Sequence, residues 1–381
     1  MTTTAARLQL AWKRAAERGS HAAALRPLLR GLSGAYALLA SARRAAYSGG
    51  WLQAASLGPL PVISVGNLSW GGTGKTPMVE LLGRMLHAHG AVPLVLSRGY
   101  GDDEWRQLRQ SLPFAMHGVG ADRAATARAL LDSRRLRESL REQRPSAVLL
   151  DDGFQHMRLK RDLDIVMVNA ELLLGATAAT LPLGCLREPP QALAAPTVRV
   201  IALHHADAVG GDELAAAEAL LRRHAGDGGA RRTLVLHTAA RASGLRRASA
   251  DGESQQRLPL DCLAGREVGA ICAVGWPDGF FRALRTQLGV KKLLTTALPD
   301  HGAVCSASIR ALAGQLAAAD GERTVVVTEK DWHRAGGGAG LARAVEAAGA
   351  RLLVLESALE VLSPGGEAEL ERLVGQVLDE K

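Results

Sequence analysis

The sequence predicts an α/β protein with a parallel-sheet domain, a second and smaller α/β domain, and an N-terminal amphipathic helical segment. Three observations carry that prediction. Short apolar runs recur along the chain with helical patterns between them, which is the mark of a parallel sheet built from βα units. A length of 381 residues suits about two domains of roughly 100–200 residues each. A composition of 47% hydrophobic and 22% charged residues provides for a core and excludes wholesale disorder.

The first element is basic. Residues 1–50 contain eight Lys/Arg and a single acid, Glu17, so they hold nearly all of the net charge of +8. The rest of the chain is close to neutral, so no nucleic-acid partner is expected, because such a partner wants a basic surface around the site. Residues 5–47 read as helix, with breaks expected at Gly19-Ser20 and Gly31. Leu25, Leu28, Leu29, Leu32, Tyr36, Leu38 and Leu39 fall between arginines. Such a helix either lies in a membrane interface or packs on the protein's own core with solvated arginines, and its residues alone leave both open. The apolar stretch at 31–42 is too short to span a bilayer, and no signal-peptide pattern is seen. Cys185, Cys262, Cys272 and Cys305 form no C-x-x-C pair, so neither a zinc site nor a disulfide framework is expected.

Residues 61–66 (PVISVG) read as a buried strand, followed by NLSWGGTGKT at 67–76 and then a helical run. Strand, glycine loop, Gly-Lys-Thr and helix form a phosphate cradle. The glycines let main-chain N–H groups approach, and the helix N-terminus adds a favourable dipole. Gly71, Gly72, Thr73, Gly74, Lys75 and Thr76 are the expected ATP-binding set, with Lys75 on the β- and γ-phosphates and Thr76 on Mg²⁺. Ser69 stands where the common pattern has glycine. The apolar strand at 147–150 ends in Asp151-Asp152, carboxylates placed to hold Mg²⁺ at the carboxyl end of a parallel strand. The first domain is therefore expected to be P-loop NTPase-like. Thr328-Glu329-Lys330-Asp331 has its lysine one place late for the base-reading Asn-Lys-x-Asp, so a GTPase is not expected.

Further strands are expected at 92–97, 163–168 and 197–203, and a second series at 268–274, 292–299, 324–329 and 351–356. Residues 206–260 are polar and rich in Ala, Gly and Arg, which suggests a domain crossing and an exposed loop. The expected organisation is a helical segment at 1–50, a kinase-like domain at 51–205 and a smaller domain at 206–381. The last helix is placed to pack back on the first domain.

Seven stretches together resemble the tetraacyldisaccharide 4′-kinase (lipid A 4′-kinase) family. They are GNLSWGGTGKTP (66–77), LSRGYG (96–101), DDGFQH (151–156), RDLDIV (161–166), LPLGCLREP (181–189), LPDH (298–301) and TEKD (328–331). The family's loop shares the missing glycine at Ser69. The resemblance implies transfer of the ATP γ-phosphate, with Mg²⁺, to the 4′-hydroxyl of a tetraacylated glucosamine disaccharide 1-phosphate, the lipid A precursor. It implies two α/β domains with the site in the cleft between them. It also implies a monotopic, peripheral enzyme on the cytoplasmic face of the bacterial inner membrane, here expected to be a monomer. The implied catalytic pair is Asp103 and His301. Asp102 stands where the family has glycine before its Asp-Glu, which leaves the register open between Asp102 and Asp103; Asp103 is preferred because Glu104-Trp105 then aligns. Glu104 joins Thr76, Asp151 and Asp152 in the implied metal set. Arg98, Tyr100, Arg123, Gln155, His156, Arg187 and Glu188 match the family's substrate-binding positions. The alternative is a membrane-docked P-loop ATPase of another function.

Overall fold

The computed structural model describes residues 25–99, 102–132, 144–173, 178–226, 232–249, 255–300, 302–316, 323–335 and 339–381. By contacts the chain divides into two compact units. One comprises the described residues of Ala11–Gly99, Leu108–Ala239 and Val361–Lys381; the other comprises those of Tyr100–Gln107 and Ala240–Glu360.

The first unit holds β1 (Val62–Asn67), β2 (Pro93–Ser97), β3 (Met116–Val119), β4 (Ala147–Asp151), β5 (Leu163–Asn169), β6 (Val198–His204) and the start of β7 (Leu234–Ala248). Their order is β7-β6-β5-β1-β4-β2-β3, with every pair parallel. β1, β2, β4 and β5 are buried at every position. A parallel strand covered on both faces needs this continuous apolar character, which is why these runs stood out in the sequence. β1 lies between β4 and β5, with Val65 opposite Asp151 and Asn67 opposite Met167. The loop after β1 and the acidic end of β4 thus emerge side by side at the carboxyl edge of the sheet. The helix Lys75–Ala88 follows β1, and Gly366–Asp379 at the C-terminus belongs to this unit.

The second unit contains the rest of β7, β8 (Gln255–Leu258), β9 (Glu267–Cys272), β10 (Lys292–Ala297), β11 (Arg323–Thr328) and β12 (Ala350–Val361). β9, β10, β11 and β12 pair in parallel in the order β10-β9-β11-β12, and β8 runs antiparallel to the end of β7. Alternate residues of the strands supply two cores. Ile271, Val325, Val327, Leu352 and Val354 face one; Val268, Ala270, Cys272, Val326 and Leu353 face the other. The period of two in side-chain direction gives this separation.

Each strand foreseen in the sequence begins within one residue of its expected start. Three expectations need correction. Within residues 206–260 the division between the two units falls between Ala239 and Ala240, but the described residues there are mostly regular structure, the helix Gly211–Ala225 and the two strands β7 and β8, instead of an exposed loop. β3 is a further strand. The N-terminal helix runs from Arg26 to Ser48 without a break at Gly31. Gly31 and Gly34 have open space around them and cost that helix only about 1 kcal/mol each, which its side-chain anchors offset. The expected helical residues before 25 lie outside the described ones.

Candidate phosphate-binding site

Gly66, near the end of β1, sets the first close approach. A Cβ there would lie 2.5 Å from the backbone nitrogen of Phe154, so only glycine lets the Asp152–Phe154 turn sit against β1. Asn67 then acts as a hub. Its carbonyl accepts from Gln155 Nε2 at 2.9 Å, its Oδ1 accepts from Arg187 Nη1 at 2.9 Å, and its Nδ2 donates to Thr73 Oγ1 at 3.2 Å. The stretch 185–187 runs alongside 68–70, with Trp70 donating to the Cys185 carbonyl and Arg187 N–H to the Leu68 carbonyl. The loop bends through left-handed glycines at Gly71, Gly72 and Gly74, conformations that side chains with a Cβ resist. Lys75 opens the helix.

Asp152 gathers the charges. It adopts a left-handed φ of 50° and lies 3.6 Å from Lys75 Nζ and 2.9 Å from Arg187 Nη1. Its carbonyl accepts from Arg123 Nη2 at 2.9 Å. Burial alone would raise its carboxyl, but Lys75, Arg187 and Arg123 outweigh that and hold it well below the usual carboxylate range. Burial pushes His156 down to about 4, helped by Arg123, Arg161 and Arg158 and opposed by Asp122. It is neutral at physiological pH.

A cavity of about 280 Å³ opens here. Arg43, Arg98, Arg123, Arg158 and Arg187 line it beside Gln155 and His156, with Asp152 as its one carboxylate. Five guanidinium groups against one carboxylate make an electropositive pocket suited to phosphate, which the planar fork binds in two-point contacts. The N-terminal helix closes part of it. Ser33 bonds to Thr180, Tyr36 donates to the Arg187 carbonyl at 2.9 Å and Arg43 donates to that of Gln155 at 3.3 Å. Arg44 lies 3.3 Å from Glu188 and 4.5 Å above the Phe154 ring.

Comparison with known proteins places the chain in a family. A family model described as Tetraacyldisaccharide-1-P 4'-kinase matches residues 25–377. The chain belongs to this family. A tetraacyldisaccharide 4'-kinase of Anaeromyxobacter dehalogenans is 35% identical over 330 residues, covering 79% of this chain and 81% of that protein. One from Geobacter metallireducens is 36% identical over 297 residues, covering 72% and 78%. The fold is also that of the crystal structure of LpxK from Aquifex aeolicus, at a TM-score of 0.60 and 24% identity, covering 93% of this chain and 99% of that one. Membership makes the chain a kinase, a phosphotransferase with an alcohol acceptor.

Among the family positions named from sequence, Arg98, Arg123, Gln155, His156 and Arg187 come together around the cavity, next to Asp152 and Lys75. Glu188 is elsewhere: it is 3% exposed and paired with Arg44, and burial raises its carboxyl against the pull of Arg44. In the second unit, Lys330 Nζ is 2.9 Å from Glu104 Oε1, and Gln107 donates to Glu329 at 3.3 Å. The TEKD segment therefore grips Glu104 and Gln107, the part of the helix Asp102–Ser111 that belongs to that unit. Thr328 caps its own helix by accepting from Asp331 N–H, while Asp331 accepts from Ala273 N–H. Tyr100, His301 and the side chains of Asp102 and Asp103 lie outside the described residues.

Sequence reasoning missed Arg43, Arg158, the hub role of Asn67, and the His204-His205 pair behind the loop. Asn67 was visible inside the glycine motif. Arg43, His204 and His205 carried no motif, because what they touch is distant in sequence, and Arg158 lies just past the end of one.

Proposed function

We propose that this chain transfers the γ-phosphate of ATP to the 4′-hydroxyl of a tetraacylated glucosamine disaccharide 1-phosphate on the cytoplasmic face of a bacterial inner membrane. The observation that carries this reading is the phosphate loop opening beside an arginine-lined cavity in a chain of this family. The glycine-loop amides and Lys75 hold the ATP phosphates, and the arginine cavity receives the anionic acceptor. The residues suit Mg²⁺. Thr76 Oγ1 is buried with no hydrogen-bond partner among the described residues, and buried Asp151 ends β4. No cluster of three or more His, Cys, Asp or Glu is present among the described residues. None is needed, since Mg²⁺ at such sites takes one or two protein ligands and fills the rest with phosphate oxygens and water. When bound, Mg²⁺ supplies charge neutralisation at the phosphate oxygens. Asp103 accepts the proton of the 4′-hydroxyl as its oxygen bonds to the γ-phosphorus and ADP departs, and His301 orients that carboxylate. The test is direct: purified protein, ATP, Mg²⁺ and the lipid disaccharide 1-phosphate yield the 4′-phosphorylated lipid. Rapid ATP hydrolysis indifferent to the lipid would overturn the assignment in favour of an ATPase.

The membrane part rests on the exposed side of the N-terminal helix and the residues that flank it. Leu25, Leu28, Leu32, Leu38, Leu39, Trp51 and Leu52 are exposed, and outside residues 25–52 the described chain exposes only Val119 among large hydrophobics. The opposite face is fastened by Leu29, Ser33 and Arg44. No described helix is long and apolar enough to cross a membrane, so the helix serves as an interfacial element. Replacing Leu28, Leu32 and Leu39 together with serine weakens partitioning onto anionic vesicles by about tenfold or more. It leaves turnover of a short-chain, soluble acceptor near wild type. Vesicle sedimentation checks it, and undiminished partitioning would refute the interfacial role.

A further inference from the structure

Two non-glycine residues among the described ones adopt positive φ, and both lie at the phosphate site: Asp152, and His205 at φ 61°. A histidine held left-handed is strained and persists where the surroundings demand it. The demand on His205 comes from the loop. β6 ends at His204, and the turn at His205 brings its Nε2 to 3.2 Å from the Gly72 carbonyl oxygen. The acceptor there is a carbonyl, so Nε2 carries the proton. The His204 ring lies 4.2 Å from the His205 ring and 2.9 Å from where a Cβ on Gly74 would stand. Its Nδ1 meets Thr238 Oγ1 at 3.1 Å, and that hydroxyl donates to the Leu203 carbonyl. Both imidazoles are therefore buried against the loop at two of its three left-handed glycines.

The peptide between Gly72 and Thr73 is planar, with its C=O and N–H pointing in opposite directions. Fixing one end fixes the other. We infer that His205 is a positioning residue of the nucleotide site: it draws back the Gly72 carbonyl and so presents the Thr73 N–H to a bound phosphate. Without that tie the peptide can rotate and turn a carbonyl oxygen toward the anion. The inference rests on ATP binding at this loop, and it adds a residue outside every motif of the sequence.

Three variants of the full chain separate the hydrogen bond from the backbone strain. Glutamine places an amide N–H near the position of Nε2. Asparagine tolerates the left-handed backbone but reaches only as far as Nδ1. Alanine does neither. ATP affinity is measured by calorimetry in the absence of acceptor, melting temperature alongside it, and kcat separately at saturating ATP. The expected results are His205→Gln within about twofold of wild-type affinity, and His205→Asn and His205→Ala weaker by about tenfold, the scale of one hydrogen bond. His205→Asn melts no lower than wild type, so affinity and stability part company, and kcat at saturation changes less than affinity does. An alanine variant that binds ATP as wild type does overturns the inference. So does a glutamine variant as weak as alanine, or an affinity loss that tracks melting temperature through all three. A wild type that binds no ATP would bring down the nucleotide reading as well, which keeps the two failures distinct.

Discussion

Replacing Asp103 with asparagine lowers kcat by about 10²–10⁴-fold, the range for a positioned acid–base group, while ATP affinity stays within about threefold. Phosphoryl transfer asks little covalent work of the protein, so most of the remaining rate depends on groups this change leaves alone: the loop amides, Lys75 and the arginine cavity. The helix that carries Asp103 is held independently, by Lys330 on Glu104 and by Gln107 on Glu329. The isosteric change therefore leaves that helix in place, and a lower kcat reports proton acceptance. Asp102→Asn is the necessary companion, because neighbouring positions differ by about 100° around a helix axis and do not share a role. Single-turnover transfer with each variant decides between them. If Asp102→Asn is the crippled protein, the family alignment shifts by one residue. If both retain full turnover, neither carboxylate is the base.

The legible parts of this molecule were those in which local physics and tertiary structure agree. β1, β4 and β5 are buried at every position and carry short apolar runs (Val62, Ile63 and Val65; Ala147–Leu150; Ile165–Val168) because both faces are covered, and the glycine loop announces itself because left-handed turns need glycine. β7 was illegible for the opposite reason. Its sequence, LVLHTAARASGLRRA, carries three arginines and a glycine and reads as a loop. Its Arg246 is nevertheless buried, bonded to Glu356 at 2.9 Å and stacked over Trp332 at 4.9 Å. A partner 110 residues away makes a charged strand tenable, and no local pattern reveals it. The same holds at the site. Arg43 and Arg158 join the cavity only because the N-terminal helix and the turn after Gln155 fold against it. His205 matters through a backbone angle that its residue type does not advertise.

Asp152→Asn has the second largest expected effect, and it separates two kinds of contribution from one carboxylate. The variant keeps the backbone carbonyl that binds Arg123 but removes the charge that balances Lys75 and Arg187. Lys75, Arg187 and Arg123 then share only the more distant Asp151 as counter-charge, and unfolding becomes easier by about 1 kcal/mol, the low end of the scale for stripping a partner from a polar group, since these side chains are only part-buried. Nucleotide binding moves the other way. ATP is itself an anion and can replace the missing charge, so its affinity without Mg²⁺ stays equal to wild type or becomes tighter. Catalysis does not recover, because Arg187 keeps Asn67 but loses the charged, two-oxygen partner that fixes its guanidinium beside the cavity, and kcat falls by about 10²-fold or more on the scale of a lost preorganised charge. Thermal melting with and without ATP tests the pairing directly: the variant melts lower alone and gains more from ATP than wild type does. Asp152 is held ionised far below neutral pH by those same cations, so wild type shows no titration of this group between pH 5 and 9 and the variant's deficit is constant across that range. A deficit that vanished at either end would mean that another group, and not the Asp152 charge, holds the lysine and the arginines in place.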